Sequence, residues 1–341
     1  MSDQSDHQSP EETEGVKLRK RQCDDTGEAS AALKRPPSHI TNERGKFKYV
    51  EIDGTRALEK RSHYHENGSS LRNDFYEICE RHFYELLNGS CELVDKKLSN
   101  IAILIDKEKW LDIIPKYYGS GERFVDERER MVDCILIEDL ISSSSLTTSY
   151  FDFKMGRVNR LPTERDAEFI KNKYPLRYVN GFSFDGMRLC AHGGDGREEL
   201  TKKQARQLDT AAIEAQMKRF VQETTSSLTD AQSVCLDIIE SLRSMASIIG
   251  DRKNPFRFFS TSLFVVLDNS TVPYSRDKCL RVKLIDFERS FIYIGNDCLQ
   301  SNISDKVESD HQNLDNKGDE NVLFGILRII SIFEKIHQIL L

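Results

Sequence analysis

Tyr150-Phe151-Asp152-Phe153-Lys154-Met155-Gly156 is the stretch whose reading decides the fold of this 341-residue chain. Alternation at period two puts Phe151, Phe153 and Met155 on one face of a strand and Asp152 and Lys154 on the other. The first face is apolar and expected in a core. The second presents a carboxylate and an ammonium side by side, with a glycine following where the strand ends. So short a pattern recurs by chance, and taken alone it reads as a strand with a surface ion pair. Its weight comes from what stands elsewhere in the chain.

The length is enough to bury a substantial core. Net charge is 49 minus 56, or -7. That mild acidity gives no global reason to expect a nucleic-acid partner, and any polyanion site must be local. The eight cysteines have no C-x-x-C spacing, which argues against a zinc site or a disulfide framework and for a reducing compartment. No run of 18 apolar residues reads as a membrane span, and the N-terminus is polar and acidic, so a soluble intracellular protein is expected. Residues 1–36 hold few large apolar groups and are expected to form a disordered tail. Within it, Lys17, Arg19, Lys20 and Arg21, then Lys34 and Arg35, are spaced like a bipartite nuclear signal. A solvated charge run is the competing reading, and the expected location is nucleus and cytoplasm.

Local patterns place the other elements. Phe47 to Lys60 reads as two strands about an Asp53-Gly54 turn. Phe75, Ile78, Cys79, His82, Phe83, Leu86 and Leu87 fall on one helical face, capped by Asn73 or Asp74 and ended by Asn88-Gly89. Strands are expected at 101–105, 132–137 and 182–190, with a hairpin turn at 193–196. A helix starts near Pro162 and stops at Tyr174-Pro175. Two long amphipathic helices follow, the second carrying Val234, Cys235, Ile238, Ile239, Leu242, Met245, Ala246 and Ile249 on its core face. Residues 260–268 and 280–287 read as buried, paired strands. A polar loop at 300–319 precedes a final helix from 322 to 340.

Five further segments stand in order around the opening stretch: Ile137-Glu138-Asp139-Leu140, Gly181-Phe182-Ser183-Phe184-Asp185-Gly186-Met187-Arg188, Phe258 to Asp268, Val282 to Phe287, and Asp319 to Gly325. With it, they resemble the inositol polyphosphate kinase family, which is marked by P-x-x-x-D-x-K-x-G, an S-S-L-L-like strand, an I-D-F metal motif and a D-E-G-Y-x-x-G helix start. The likeness runs from about Ser38 to the C-terminus, and Lys173-Tyr174-Pro175-Leu176 makes it strongest to the multikinase branch. It departs at Thr148, where the motif has proline, at Glu288-Arg289, where a small residue and histidine are usual, and at Ser260-Thr261-Ser262.

The resemblance implies an α+β, two-lobed kinase-like architecture of the SAICAR-synthase type, with a nucleotide lobe at 37–140 and a C-terminal lobe at 141–341. Residues 142–145 would connect the two. It implies ATP and Mg²⁺ as cofactors, an inositol polyphosphate as substrate and a monomeric enzyme. Asp152 would orient or deprotonate the attacking hydroxyl, and Lys154 would bind a substrate phosphate or the transferring group. Lys60 would hold the nucleotide phosphates, fixed by Glu80, with an exposed strand lysine as the competing reading. The backbone of Glu138 and Leu140 would take adenine, Asp139 the ribose, and Asp286 the metal and nucleotide. In relatives the helix after the opening motif is a platform of lysine and glutamine side chains. Here Asp166, Phe169 and Ile170 stand near those places, which leaves Arg157, Arg160, Arg165, Lys171, Lys173 and, beyond the metal motif, Arg289 to meet substrate phosphates. These departures keep open a second expectation, a catalytically weak member that binds inositol phosphates or protein partners. Trisphosphate 3-kinase or hexakisphosphate kinase specificity is open as well.

Overall fold

Strand alternation in the opening stretch is realised as β6 (Thr148–Met155). Phe151, Phe153 and Met155 are buried completely, while Asp152 and Lys154 lie on the more open face. The computed structural model describes residues 47–52, 54–61, 75–89, 105–125, 130–141, 147–158, 171–193, 196–270, 273–293 and 318–341. The expected tail, the strand at 101–104, the connector at 142–145, the start of the helix near Pro162, and Arg160 and Arg165 lie outside them.

In chain order the preceding elements are β1 (Phe47–Ile52), β2 (Thr55–Arg61), β3 (Phe75–Ile78), α1 (Glu80–Leu87), α2 (Lys107–Ile113), β4 (Tyr117–Val125) and β5 (Arg130–Glu138). After β6 come α3 (Pro175–Asn180), β7 (Phe182–Cys190), β8 (Arg197–Leu200), α4 (Lys202–Ala205), α5 (Thr210–Glu223) and α6 (Leu228–Ile249). The chain continues through β9 (Phe256–Phe258), β10 (Ser262–Asp268), α7 (Arg276–Cys279), β11 (Leu280–Ile285), β12 (Ser290–Tyr293) and α8 (Glu320–Leu340). This is an α+β fold. Three sheets are described, ordered β1-β2-β5-β4, β11-β10-β6-β7-β8 and β3-β12-β9. The first uses only residues before 141 and the second only residues after 147, whereas the third joins β3 to two strands from the far end of the chain.

Core packing follows from the sequence pattern. The buried face of β6 meets α5, with the Phe151 and Phe220 rings 4.2 Å apart, and β7, with Phe153 stacked on Phe184 at 5.2 Å. The core face expected for α6 is buried along Val234, Cys235, Ile238, Ile239, Leu242, Met245 and Ile249. A second aromatic cluster of Phe83, Trp110, Phe256, Phe258 and Phe287 joins α1 and α2 to β9 and the end of β11. Each fully buried ring contributes on the order of 2 kcal/mol.

Three expectations are corrected. The helix expected from Phe75 begins at Glu80, and Phe75–Ile78 is a strand paired with Ser290–Tyr293. Over four residues the helical and extended periods cannot be told apart, and the deciding partner lies more than 200 residues away. The cap is accordingly Cys79, whereas Asn88-Gly89 does end the helix, with Gly89 at φ 74°. Second, β11 is buried only on alternate residues, its other face being partly exposed. Third, the strand expected at 260–268 begins at Ser262, while α2, capped by the Asp106 side chain, and α3, with Pro175 in its first turn, had no counterpart in the sequence reading.

Candidate functional site

The site grows from the ends of three strands. In β10 the register sets Ser262 beside Lys154 and beside Ile285, so β6, β10 and β11 end together. Beyond Ile285 the chain leaves the sheet: Asp286 takes φ 64°, and Phe287 turns inward to full burial, stacked on Phe83 at 4.2 Å. Phe287 therefore anchors the turn that lifts Asp286 out. Ser260, two residues before β10, also sits at a positive φ of 72°. Such conformations in residues other than glycine cost about 1 kcal/mol or more each, held here by the packing around them.

The Asp286 carboxylate joins two lysines. Its Oδ1 accepts from Lys60 Nζ at 2.6 Å and its Oδ2 from Lys154 Nζ at 3.2 Å. Lys60 is 2% exposed, far from an exposed strand lysine, and its Nζ also lies 2.9 and 2.8 Å from the two carboxylate oxygens of Glu80, with Glu288 at 3.9 Å. Burial alone would lower the Lys60 ammonium, but Glu80 and Asp286 outweigh it and hold it above its ordinary range. Burial pushes the Glu80 carboxyl up and Lys60 pulls it down; the Phe287 N–H donates to it at 3.1 Å. The Lys60–Glu80 pair that the resemblance implied is thus in contact, though the two come from separate strands and helices.

Asp152 lies on the cleft face of β6. Its Oδ1 is enclosed with no hydrogen-bond partner. Burial, with the neighbouring Asp185 and Asp286 charges, pushes its carboxyl up to about 6, against the pull of Lys154. An acid whose folded value is raised favours the fold while protonated, below about pH 4, and penalises it as pH rises through 6. Asp152→Asn is therefore expected to stabilise the ligand-free protein by about 1–2 kcal/mol at pH 8 and by almost nothing at pH 3.5, the figure being reduced for residual solvent contact. Urea unfolding of both proteins at the two pH values measures this, and an equal difference at both would show that Asp152 ionises normally.

Next to these residues opens a cleft of about 470 Å³, whose lining includes Lys154, Lys173, Ser183, Arg206 and Ser260. Of the expected phosphate ligands, Lys173 lines it. Lys171 stands over the Tyr178 ring, Arg157 is packed 3.6 Å from the Phe324 ring, and Arg289 is exposed beyond Phe287; none of the three is on the lining. Arg177, which the sequence reading passed over, is buried and donates to the carbonyls of Gly156 and Met155 at 2.7 and 2.9 Å, strapping down the chain after β6.

At the end of β5, the Glu138 N–H donates to the Lys116 carbonyl at 2.8 Å, so its amide is already engaged in the sheet. Asp139 is turned inward, 2.8 Å from Arg56, and accepts from the Ile141 N–H at 3.1 Å. A ribose contact from Asp139 would compete with Arg56. The Leu140 backbone follows directly at the strand exit.

A divalent cation suits the oxygen donors here: Asp286, lifted from the sheet, and Glu288 nearby are hard carboxylates, and Mg²⁺ bound with a nucleotide needs only one or two of these beside phosphate oxygens.

No curated protein matches the chain. Among solved structures it is similar to the inositol phosphate multikinase of S. cerevisiae in complex with ADP and Mn²⁺, at 15% identity and a TM-score of 0.49, over 77% of this chain and 99% of that one. A second inositol phosphate multikinase structure shows 16% identity and a TM-score of 0.43, over 75% of this chain and 99% of the other. The model of the family described as inositol polyphosphate kinase matches residues 134–334, which include Asp152, Lys154, Asp286 and most of α8. That span is more than half of the 341 residues, and the chain belongs to the inositol polyphosphate kinase family.

Proposed function

We propose that this chain is an ATP-dependent kinase that transfers the γ-phosphoryl group to hydroxyls of inositol polyphosphates, with the broad acceptor range of a multikinase. One observation carries the reading: a single carboxylate, Asp286, touches both the buried Lys60–Glu80 pair and Lys154 beside Asp152. In-line phosphoryl transfer needs a nucleotide-phosphate cation, a metal ligand and an acceptor-side base within a few ångströms of one another. The residues proposed for these roles come from β2, β6 and the exit of β11, and Asp286 joins them.

In this mechanism Lys60, held rigid by Glu80, binds nucleotide phosphate oxygens. Asp286 and Glu288 would hold Mg²⁺, which would neutralise charge on the nucleotide phosphates. Lys154 exchanges its contact with Asp286 for the transferring group or an acceptor phosphate. Asp152 accepts the hydrogen bond, then the proton, of the attacking hydroxyl. A carboxylate value near 6 suits that task close to neutral pH.

The test is incubation of the purified chain with ATP, Mg²⁺ and separate inositol tris-, tetrakis- and pentakisphosphates, followed by separation of the products. Phosphorylated product from several acceptors is expected. Tight acceptor binding without product would instead support the weak-binding member of the family. For location we propose nucleus and cytoplasm, tested by replacing Lys17, Arg19, Lys20, Arg21, Lys34 and Arg35 with alanine and following the protein in cells; an unchanged distribution would remove the basic clusters from any targeting role.

A further inference from the structure

The cleft contains a cation that the sequence reading did not select. Arg206, just past α4, lines it together with Lys154 and Lys173. Its side chain is not loose. Nε donates to Asp185 Oδ1 at 2.8 Å and Nη2 to Asp185 Oδ2 at 2.9 Å, a bidentate, side-on pair.

Asp185 reaches this place through an irregularity in the sheet. Asp152 pairs with Gly186 and Phe153 with Phe184, so Asp185 is the extra residue of a β-bulge opposite the aspartate of the opening motif. A bulge re-aims the side chain it carries. The carboxylate is buried and fully engaged, since Oδ1 also accepts from Ser183 Oγ at 3.1 Å and Oδ2 lies 2.8 Å from Lys202 Nζ. These donors offset the cost of burying it and hold its carboxyl below the ordinary aspartate value despite desolvation.

A guanidinium has five N–H groups, and Asp185 takes two. The remaining three belong to Nη1 and the outer edge of Nη2, on a side chain that is 40% exposed. Two cations share one carboxylate, so the cluster keeps a net positive charge at the cleft wall. We propose that Arg206 is an acceptor-phosphate-binding residue, held in its binding orientation by Asp185 as a positioning residue. This deepens the kinase reading, on which the identity of the acceptor rests: the pair fixes where one phosphate of a polyphosphorylated ring must lie relative to Asp152. It also places a cation at the cleft that does not depend on the altered platform.

The test uses the full chain. Arg206→Ala leaves Asp185 paired with Lys202 and Ser183, so the fold is expected to survive. It should raise the acceptor KM, and the Kd for inositol hexakisphosphate measured by calorimetry, by about tenfold or more, the loss expected of a charge-assisted contact, with the KM for ATP unchanged. Arg206→Lys keeps the charge without the fork and should restore only part of the affinity. Asp185→Asn, which loosens the clamp, should weaken acceptor binding less than Arg206→Ala and leave the KM for ATP unchanged. Acceptor affinity unaltered in Arg206→Ala, an equal rise in both KM values, or no binding of inositol hexakisphosphate by the parent protein would overturn the proposal. If the parent binds it yet phosphorylates no acceptor, the kinase reading falls while the calorimetric comparison still decides the role of Arg206.

Discussion

Asp286→Asn is expected to lower turnover at least about a thousandfold while the protein stays folded. The side chain keeps its shape, and asparagine is among the few residues at ease at a φ of 64°. What disappears is the negative charge that Lys60 and Lys154 share and that Mg²⁺ requires. Lys60 keeps Glu80, so no buried ammonium is stranded, and a stability loss of about 1–2 kcal/mol is expected from the two weakened contacts. Asp286→Ala should fall further in stability, by about another 1 kcal/mol, because alanine tolerates the left-handed backbone poorly. Turnover with saturating ATP and acceptor, beside denaturant unfolding of both variants, separates charge from backbone. Wild-type turnover in Asp286→Asn would remove this residue from the metal site and with it the observation on which the kinase reading stands.

How much of this could be read beforehand depended on whether the signal was local. The face assignment of Asp152 and Lys154 follows from alternation, and β6 shows the same pattern of burial. Residues 280–287 read as one buried strand, whereas the chain leaves it after Ile285, where Asp286 takes a positive φ and Phe287 stacks on Phe83. The Lys60–Glu80 contact came through resemblance, since nothing in either segment names the other across the 20 positions that separate them. The strand at Phe75–Ile78 was misread because its partner β12 lies at the opposite end of the chain. Asp185 stood in a quoted segment without a role, and Arg206 was not selected at all. A bulge leaves no mark in a hydrophobic pattern, and a bidentate pair across 21 residues depends on the turn between them.

The second large effect is expected from packing alone, at Gly325→Ala, with a stability loss of about 2–4 kcal/mol. On propensity alone the change should help, since alanine in a helix interior is favoured over glycine by about 1 kcal/mol. Packing decides otherwise. An alanine Cβ at this position would lie 2.4 Å from the Gly181 carbonyl oxygen and 2.9 Å from Met155 Cε. The first of these is backbone and cannot rotate aside. It is also committed, because the Gly181 carbonyl accepts the Gly156 N–H at 2.7 Å, at the end of the strand that carries Asp152 and Lys154. Gly181 is confined from its own side, at φ 74° with the Gly325 amide nitrogen 2.8 Å from where its Cβ would stand. Helix α8 is meanwhile fixed over this contact: Asp319 caps it and accepts from the Phe258 N–H at 2.6 Å, and Asn321 bonds to Val158 and Phe258. Relief therefore requires moving either the helix or the end of β6, and the second motion displaces Lys154 from Asp286. Gly325→Ala should accordingly lose turnover beyond what its unfolded fraction explains. Leu327→Ala, on the exposed face of the same helix, should change stability by no more than about 0.5 kcal/mol. Denaturant unfolding and turnover of the two variants make the comparison, and a Gly325→Ala protein as stable as its parent would mean that α8 does not press on the strand end that organises the site.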